Sequence, residues 1–186
     1  MAIHPSFPPT LVPAVGKQDH VIGARHAQIV IVEYGDFECP SCAQAYPSVK
    51  ILLQDFGKHI RYAFRHFPLV EAHPHAELAA EAAEAAGAQN KFWQMHDLLF
   101  ENQAHLKPKN LRQYAADLEL DLLRYDAEIG DHIYLQRIQE SLESGRASGV
   151  QGSPAFFLDG RVIDVSFGMH HLFDAVAALI QQRGNA

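Results

Sequence analysis

The sequence predicts an α/β fold, a small sheet flanked by helices, with an all-helical insertion between the second and third core strands. Three observations predict it. A β-branched run at residues 29–34 passes into a segment with helical periodicity, residues 74–144 carry one helical pattern after another, and the chain closes on a hairpin signal followed by an amphipathic helix. With 186 residues and an apolar fraction of 48%, the chain is long enough for one domain with a substantial core, or one domain plus an insert.

Residues 1–28 are rich in proline, histidine and polar side chains and read as an irregular arm wrapping the core. The first core strand is Ile29, Val30, Ile31, Val32, Glu33 and Tyr34, whose β-branched members favour an extended backbone. Ala43, Tyr46, Val49, Leu52, Leu53 and Phe56 then recur at helical spacing. A second strand at 60–67 ends at Pro68, which has no N–H to continue a ladder. From Pro74 the pattern turns helical: Leu78, Ala79, Ala82, Ala83 and Ala86 form one face, with Pro74 near the first turn and Gly87 near the end. Asn90 is the expected cap of a second helix carrying Phe92, Trp93, Met95, Leu98 and Leu99. Further helices run through Leu111, Tyr114, Ala115 and Leu118, then from Leu122 onward, then over 133–142. The hairpin pairs 155–158 with 161–165 across Asp159-Gly160, a strong two-residue turn signal, and the last helix spans 169–182. These readings divide the chain into an arm at 1–28, a core domain from 29–73 and 145–186, and a helical insertion at 74–144.

Chemistry enters with the only two cysteines, spaced as Cys39-Pro40-Ser41-Cys42. Such a pair can close on itself as a disulfide or supply half of a tetrahedral zinc site. A zinc site needs a second knuckle, and none follows at a suitable distance. Position favours redox chemistry. Cys39 lies where a strand hands over to a helix N-terminus, whose unpaired N–H groups and macrodipole favour a thiolate over a thiol. Pro40 suits the first helical turn, where its missing N–H costs nothing. Upstream, Glu33 stands at the end of a run with little polar alternation, which reads as a strand covered on both faces. A carboxylate there is expensive to bury without a task; the plainer alternative is that it points to solvent.

The segment 32–42, holding Glu33, Gly35, Asp36, Phe37 and the cysteine pair, resembles the active-site region of DsbA-like, thioredoxin-fold thiol:disulfide oxidoreductases. A second segment, 148–160, with Gly149, Gly152, Ser153 and Pro154, is similar to that family's other signature. The resemblance covers nearly the whole chain and implies a thioredoxin-like fold with the helical insertion beside the disulfide. It places Cys39 on the nucleophile, Cys42 on the resolving thiol, and Pro154 on a proline whose cis peptide bond faces the disulfide. It places Glu33 on the acidic residue beneath the pair, which takes and returns the proton of Cys42. Pro40, Ser41 and Ser153 fall on positions that touch substrate. The implied activity is disulfide exchange with protein or peptide substrates, fed by an electron donor or acceptor that the sequence does not name, with no organic cofactor and no metal.

One departure from the family pattern bears on the direction of electron flow. Strongly oxidising members carry a histidine inside the dipeptide, whereas this chain has Ser41, a neutral donor, and Asp36 and Glu38 lie just upstream with like charge. The expectation is a weaker oxidant, tens of millivolts below about −120 mV, that mainly reduces or exchanges disulfides.

Acidic residues exceed basic ones, 22 to 15, with no Lys/Arg cluster, which argues against nucleic acid as a partner. No stretch approaches a membrane-spanning length and no apolar segment follows Met1, so the expected compartment is the cytoplasm and no membrane partner is expected. Twelve histidines, among them His66, His73, His75, His170 and His171, are scattered over strand ends and loops and read as surface or capping residues rather than ligands. Phe92, Trp93 and Met95 read as core, and the loop from Phe67 to His75 could rim the cysteine pair. Two alternatives remain at this level. One is a redox-sensing regulatory or interaction module without turnover, once fused to a transporter; the other is a metal-binding pair that recruits histidines.

Overall fold

The structure, a computed structural model, describes residues 10–184. Its sheet has five strands in the order β1-β3-β2-β4-β5, where β1 is His20–Gly23, β2 Ile29–Gly35, β3 Ile60–His66, β4 Ala155–Leu158 and β5 Arg161–Ile163. The β2 and β3 strands run parallel, with Ile29 opposite Ile60 and Glu33 opposite Phe64. The other pairings are antiparallel. The parallel pair requires a crossover, supplied by α1, Pro40–Phe56. Between β3 and β4 come α2 (Ala76–Gly87), α3 (Phe92–Glu101), α4 (Pro108–Asp117), α5 (Leu122–Gly130) and α6 (Leu135–Ala147), and α7 (His170–Gly184) closes the chain.

Side chains alternate across the sheet, so β2 feeds two cores. Ile29 and Ile31 join Tyr62, Phe64, Phe156, Leu158, both cysteines and the alanine face of α2. Val32 and Tyr34 join Ala63, Phe67, Phe157 and Val150 on the opposite face. The fully buried reading of this strand holds, because helices or loops cover both faces.

Several expectations need correction. The arm is not wholly irregular: His20–Gly23 pairs with β3 as the edge strand, and Gly23 at φ 97 lies so close to Ile60 that a Cβ would meet its carbonyl at 2.4 Å. Four residues amid polar sequence give too weak a local signal, and pairing with β3 makes the strand. The arm does wrap the core, since Val12 N–H donates to Ser148 Oγ at 2.8 Å and Leu11 N–H to the Gly160 carbonyl at 2.8 Å. Its first nine residues lie outside the described residues.

Asn90 does not cap α3. It sits at φ 63 in the connection from α2, and Lys91 takes the cap position with no side-chain hydrogen bond. Pro74 lies near the first turn of α2 as expected, just before the N-cap His75. The boundary drawn at residue 144 falls inside α6, which continues to Ala147. There Gly145 lies against Phe67 and Tyr34, where a Cβ would meet Phe67 Cδ2 at 2.6 Å, so the helix docks directly on the sheet. The hairpin turn forms as expected, with Asp159 at φ 49 and Gly160 at φ 80.

Candidate active site

Cys39 is the N-cap of α1 and Cys42 lies one turn inside. The two cysteines are free and 3.9 Å apart. Cys42 has no exposed surface and Cys39 keeps only 6%, so the nucleophile is largely covered, though it is the more open of the two. The Ser153-Pro154 peptide bond is cis, as the resemblance implied, and Cys39 Sγ lies 3.4 Å from the Ser153 carbonyl oxygen.

The two sulfurs are pushed apart in acidity. Hydrogen bonding from the Cys42 thiol brings the pKa of Cys39 down to about 5; burial opposes this, while Ser153 and the backbone N–H groups of Cys42 and Ser41 support it. Ser41 thus favours the thiolate through its backbone, a helix-terminus contribution independent of its side chain. Burial, the bond to Cys39 and the charge of Glu33 drive Cys42 far above the ordinary thiol range. One sulfur is held as a thiolate at neutral pH and its neighbour as a thiol.

Asp36 and Glu38, expected to oppose the thiolate, are each hydrogen-bonded to a histidine. Asp36 accepts hydrogen bonds from Glu38 N–H at 2.8 Å and Leu69 N–H at 2.9 Å and pairs with His73 Nδ1 at 2.7 Å. Glu38 accepts from His75 N–H at 2.5 Å and pairs with His75 Nδ1 at 2.8 Å. Burial works against a charge on His73, yet Asp36 and the charge of Cys39 hold its pKa above the ordinary histidine value. The Asp36-Phe37-Glu38 and His73-Pro74-His75 segments therefore face each other through hydrogen bonds, and the loop after Phe67 flanks the cysteine segment. The backbone N–H of Asp36 points at Cys42 Sγ, 3.5 Å away.

Glu33 is 3% exposed, on the same sheet face as the cysteines, with Phe64 opposite it on β3 and Phe156 on β4. Burial raises its pKa to about 7, with a hydrogen bond from Tyr62 lowering it and the charge of Cys39 raising it. The solvent-facing alternative is excluded. Two contributors escaped the sequence reading. Tyr62 donates its hydroxyl to Glu33 Oε2, and Gln103, between α3 and α4, donates to the Phe37 carbonyl at 3.0 Å and the Cys39 carbonyl at 2.8 Å. Neither gives a local signal, because each bond joins residues far apart in the chain.

A groove of about 520 Å³ opens between α1 and the cis-proline loop, lined by Ser41, Gln44, Ser48, Ser153, Pro154 and Met169. Pro40, also expected at the substrate face, is not part of its lining.

The histidine reading is corrected in part. His66 and His96 are buried, and His66 shares Glu84 with His20, at 2.9 and 3.0 Å respectively, as structural hydrogen bonds between β1, β3 and α2. Among the described residues no group of three or more His, Cys, Asp or Glu side chains is placed to hold a metal ion. Phe92, Trp93 and Met95 pack in or against the core.

A strand, a thiolate-bearing helix N-terminus and a cis-proline loop around one cysteine pair define the class, and comparison agrees. A family model described as Thioredoxin matches residues 16–181, and the chain belongs to that family. Its fold is that of DsbA-type structures: BdbD from Bacillus subtilis superposes with a TM-score of 0.78 at 19% identity, covering 88% of this chain and 93% of the other. A thioredoxin-like oxidoreductase from Silicibacter pomeroyi gives 0.78 at 22%, covering 89% and 94%. Among curated sequences, the Na(+)/H(+) antiporter NhaA 1 of Salinispora arenicola is 48% identical over 168 residues, which are 90% of this chain and 26% of the relative. The NhaA antiporter of Herminiimonas arsenicoxydans is 40% identical over 162 residues, 87% of this chain and 26% of the relative. The chain therefore spans about a quarter of the length of the curated relatives it matches.

Proposed function

We propose that the protein is a thiol:disulfide oxidoreductase that exchanges disulfides with protein or peptide substrates through Cys39 and Cys42. The observation that carries this reading is the geometry of the pair, with Cys39 capping α1, Cys42 beneath it 3.9 Å away and the cis Ser153-Pro154 bond alongside, an arrangement that favours a thiolate at Cys39 and a thiol at Cys42. The Cys39 thiolate attacks one sulfur of a substrate disulfide; a Cys39–substrate disulfide forms and the other substrate sulfur leaves as a thiolate. Glu33 takes the proton of Cys42, whose sulfur then attacks Cys39. The Cys39–Cys42 bond forms, the second substrate sulfur leaves as a thiolate, and the substrate is reduced as the pair is oxidised. The groove beside Ser153 and Pro154 suits an extended peptide. An electron donor then reduces the pair for another turnover, and the proposed setting is the cytoplasm, supported by a dipeptide without histidine.

The test is turnover. The reduced protein should accelerate dithiothreitol-driven reduction of insulin, Cys39→Ser should abolish this, and Cys42→Ser should trap mixed disulfides visible by mass. No acceleration by the parent protein would overturn the proposal.

The antiporter names of the curated relatives favour one second reading, in which this domain is a redox-sensing module associated with a transport protein. It predicts reversible oxidation of the pair without catalytic turnover in the same assay.

A further inference from the structure

Resolution of the mixed disulfide needs a base that can reach Cys42, and a carboxylate has two oxygens. The structure distinguishes them. Oε2 of Glu33 accepts the hydroxyl proton of Tyr62, a fully buried side chain on β3 whose ring packs against Trp93 at 5.8 Å between centroids. Oε1 lies at the other side, beside Gly35, where a Cβ placed on that glycine would stand 3.2 Å from it. The next residue, Asp36, directs its N–H at Cys42 Sγ. Oε1, the oxygen without the Tyr62 bond, thus lies near the residue that precedes Asp36, and the charge of Glu33 acts on Cys42.

We propose that Tyr62 is a positioning residue for the resolving step: its hydroxyl holds Oε2 and orients Glu33 so that Oε1 takes the proton of Cys42. The proposal rests on the reading of Glu33 as the base. A phenol can play this part because it stays protonated: burial and the charge of Glu33 keep its pKa well above the ordinary tyrosine value. It therefore donates without competing for the proton. The other ionisable groups acting on Glu33 and Tyr62 are Cys39 and Cys42 on α1 and, toward Tyr62, Asp97 on α3. Because the phenol bonds best to the ionised carboxylate, it also favours the basic form near neutral pH.

The experiment uses oxidised glutathione as the disulfide probe and follows both steps by stopped flow with the reduced protein from pH 5 to 9. Attack by Cys39 forms the glutathione mixed disulfide; resolution by Cys42 releases the second glutathione. In Tyr62→Phe the pH midpoint of resolution should rise by about one unit and the plateau rate at pH 9 should fall several-fold because Glu33 is no longer oriented, while the attack step is unchanged. Combined with Glu33→Gln, the same change should have no further effect. An unchanged midpoint, or an effect that persists in the Glu33→Gln background, overturns the role of Tyr62. If Glu33→Gln alone leaves resolution unaltered, Glu33 is not the base, an outcome separable from failure of the tyrosine. Should Tyr62→Phe not fold, 3-fluorotyrosine placed at position 62 keeps the shape with a stronger donor, and the midpoint should move downward; no movement overturns the proposal equally.

Discussion

Glu33 is held between phenylalanines in the middle of a sheet, and its ionisation there carries a stability consequence of definite sign. Its folded pKa, about 7, lies above the ordinary value of 4.5, so the folded state binds the proton more tightly than the unfolded chain. Its contribution is fully present below pH 4.5 and is lost as the pH rises through 7. Glu33→Gln removes that loss. The variant should be more stable than the parent above pH 7 by up to ~3 kcal/mol, with the gain shrinking toward pH 4.5. Urea unfolding of the reduced proteins at pH 5 and pH 8 measures it, and an equal difference at both pH values would contradict the assignment. Asp36 and Glu38 give the complementary lesson. From sequence alone they are negative charges beside a sulfur; in the folded chain His73 and His75 face them, and the thiolate is favoured at about 5.

Among the elements, α1 carries the chemistry, yet part of what fixes its first turn lies in the helical insertion. Gln103 reaches from the connection between α3 and α4 to the carbonyls of Phe37 and Cys39, tying the insertion to the redox segment by two hydrogen bonds. Gln103→Ala should cost about 1–2 kcal/mol of stability in the reduced protein, since each bond contributes on the order of 1 kcal/mol. Denaturant midpoints at constant m-value give the number, and a loss under ~0.3 kcal/mol would mean that water replaces the amide without penalty. The same elements show where local patterning suffices. The alanine face of α2 and the periodic residues of α1 are visible because burial repeats at helical spacing. Edge strand β1 is not, because four residues hold no period long enough to detect.

At the scale of the whole molecule, three segments distant in sequence meet at one sulfur pair: β2 with Glu33, the start of α1, and the loop at Ser153 and Pro154. Their combined effect sets how strongly the reduced form is favoured. A Cys39 pKa of about 5 falls between the values of about 7 in thioredoxin and about 3.5 in the strongest oxidants of this fold. The reduction potential should accordingly fall between about −270 and about −120 mV. Equilibration with glutathione buffers reads it directly. A potential at or above the upper bound would show that an oxidising role survives without the dipeptide histidine and would remove the support for a reducing role in the cytoplasm.

The sequence by itself determined the succession of elements from β2 onward, the central strand, the helix N-terminus under Cys39, the hairpin and the cysteine pair. These follow from periodicity, β-branching, turn residues and spacing, all carried by neighbours in the chain. Segment 148–160 pointed to Pro154 only through its resemblance to a family signature. Tertiary structure decided the rest: that His20–Gly23 pairs with β3, that α6 docks through Gly145 on the sheet, that Tyr62 and Gln103 belong to the site, and that two histidines bond to the acidic flank. Each of these joins residues far apart in sequence by a hydrogen bond or a close approach. Such energies depend on distances that exist only once the chain has folded, so no local pattern of residue types encodes them.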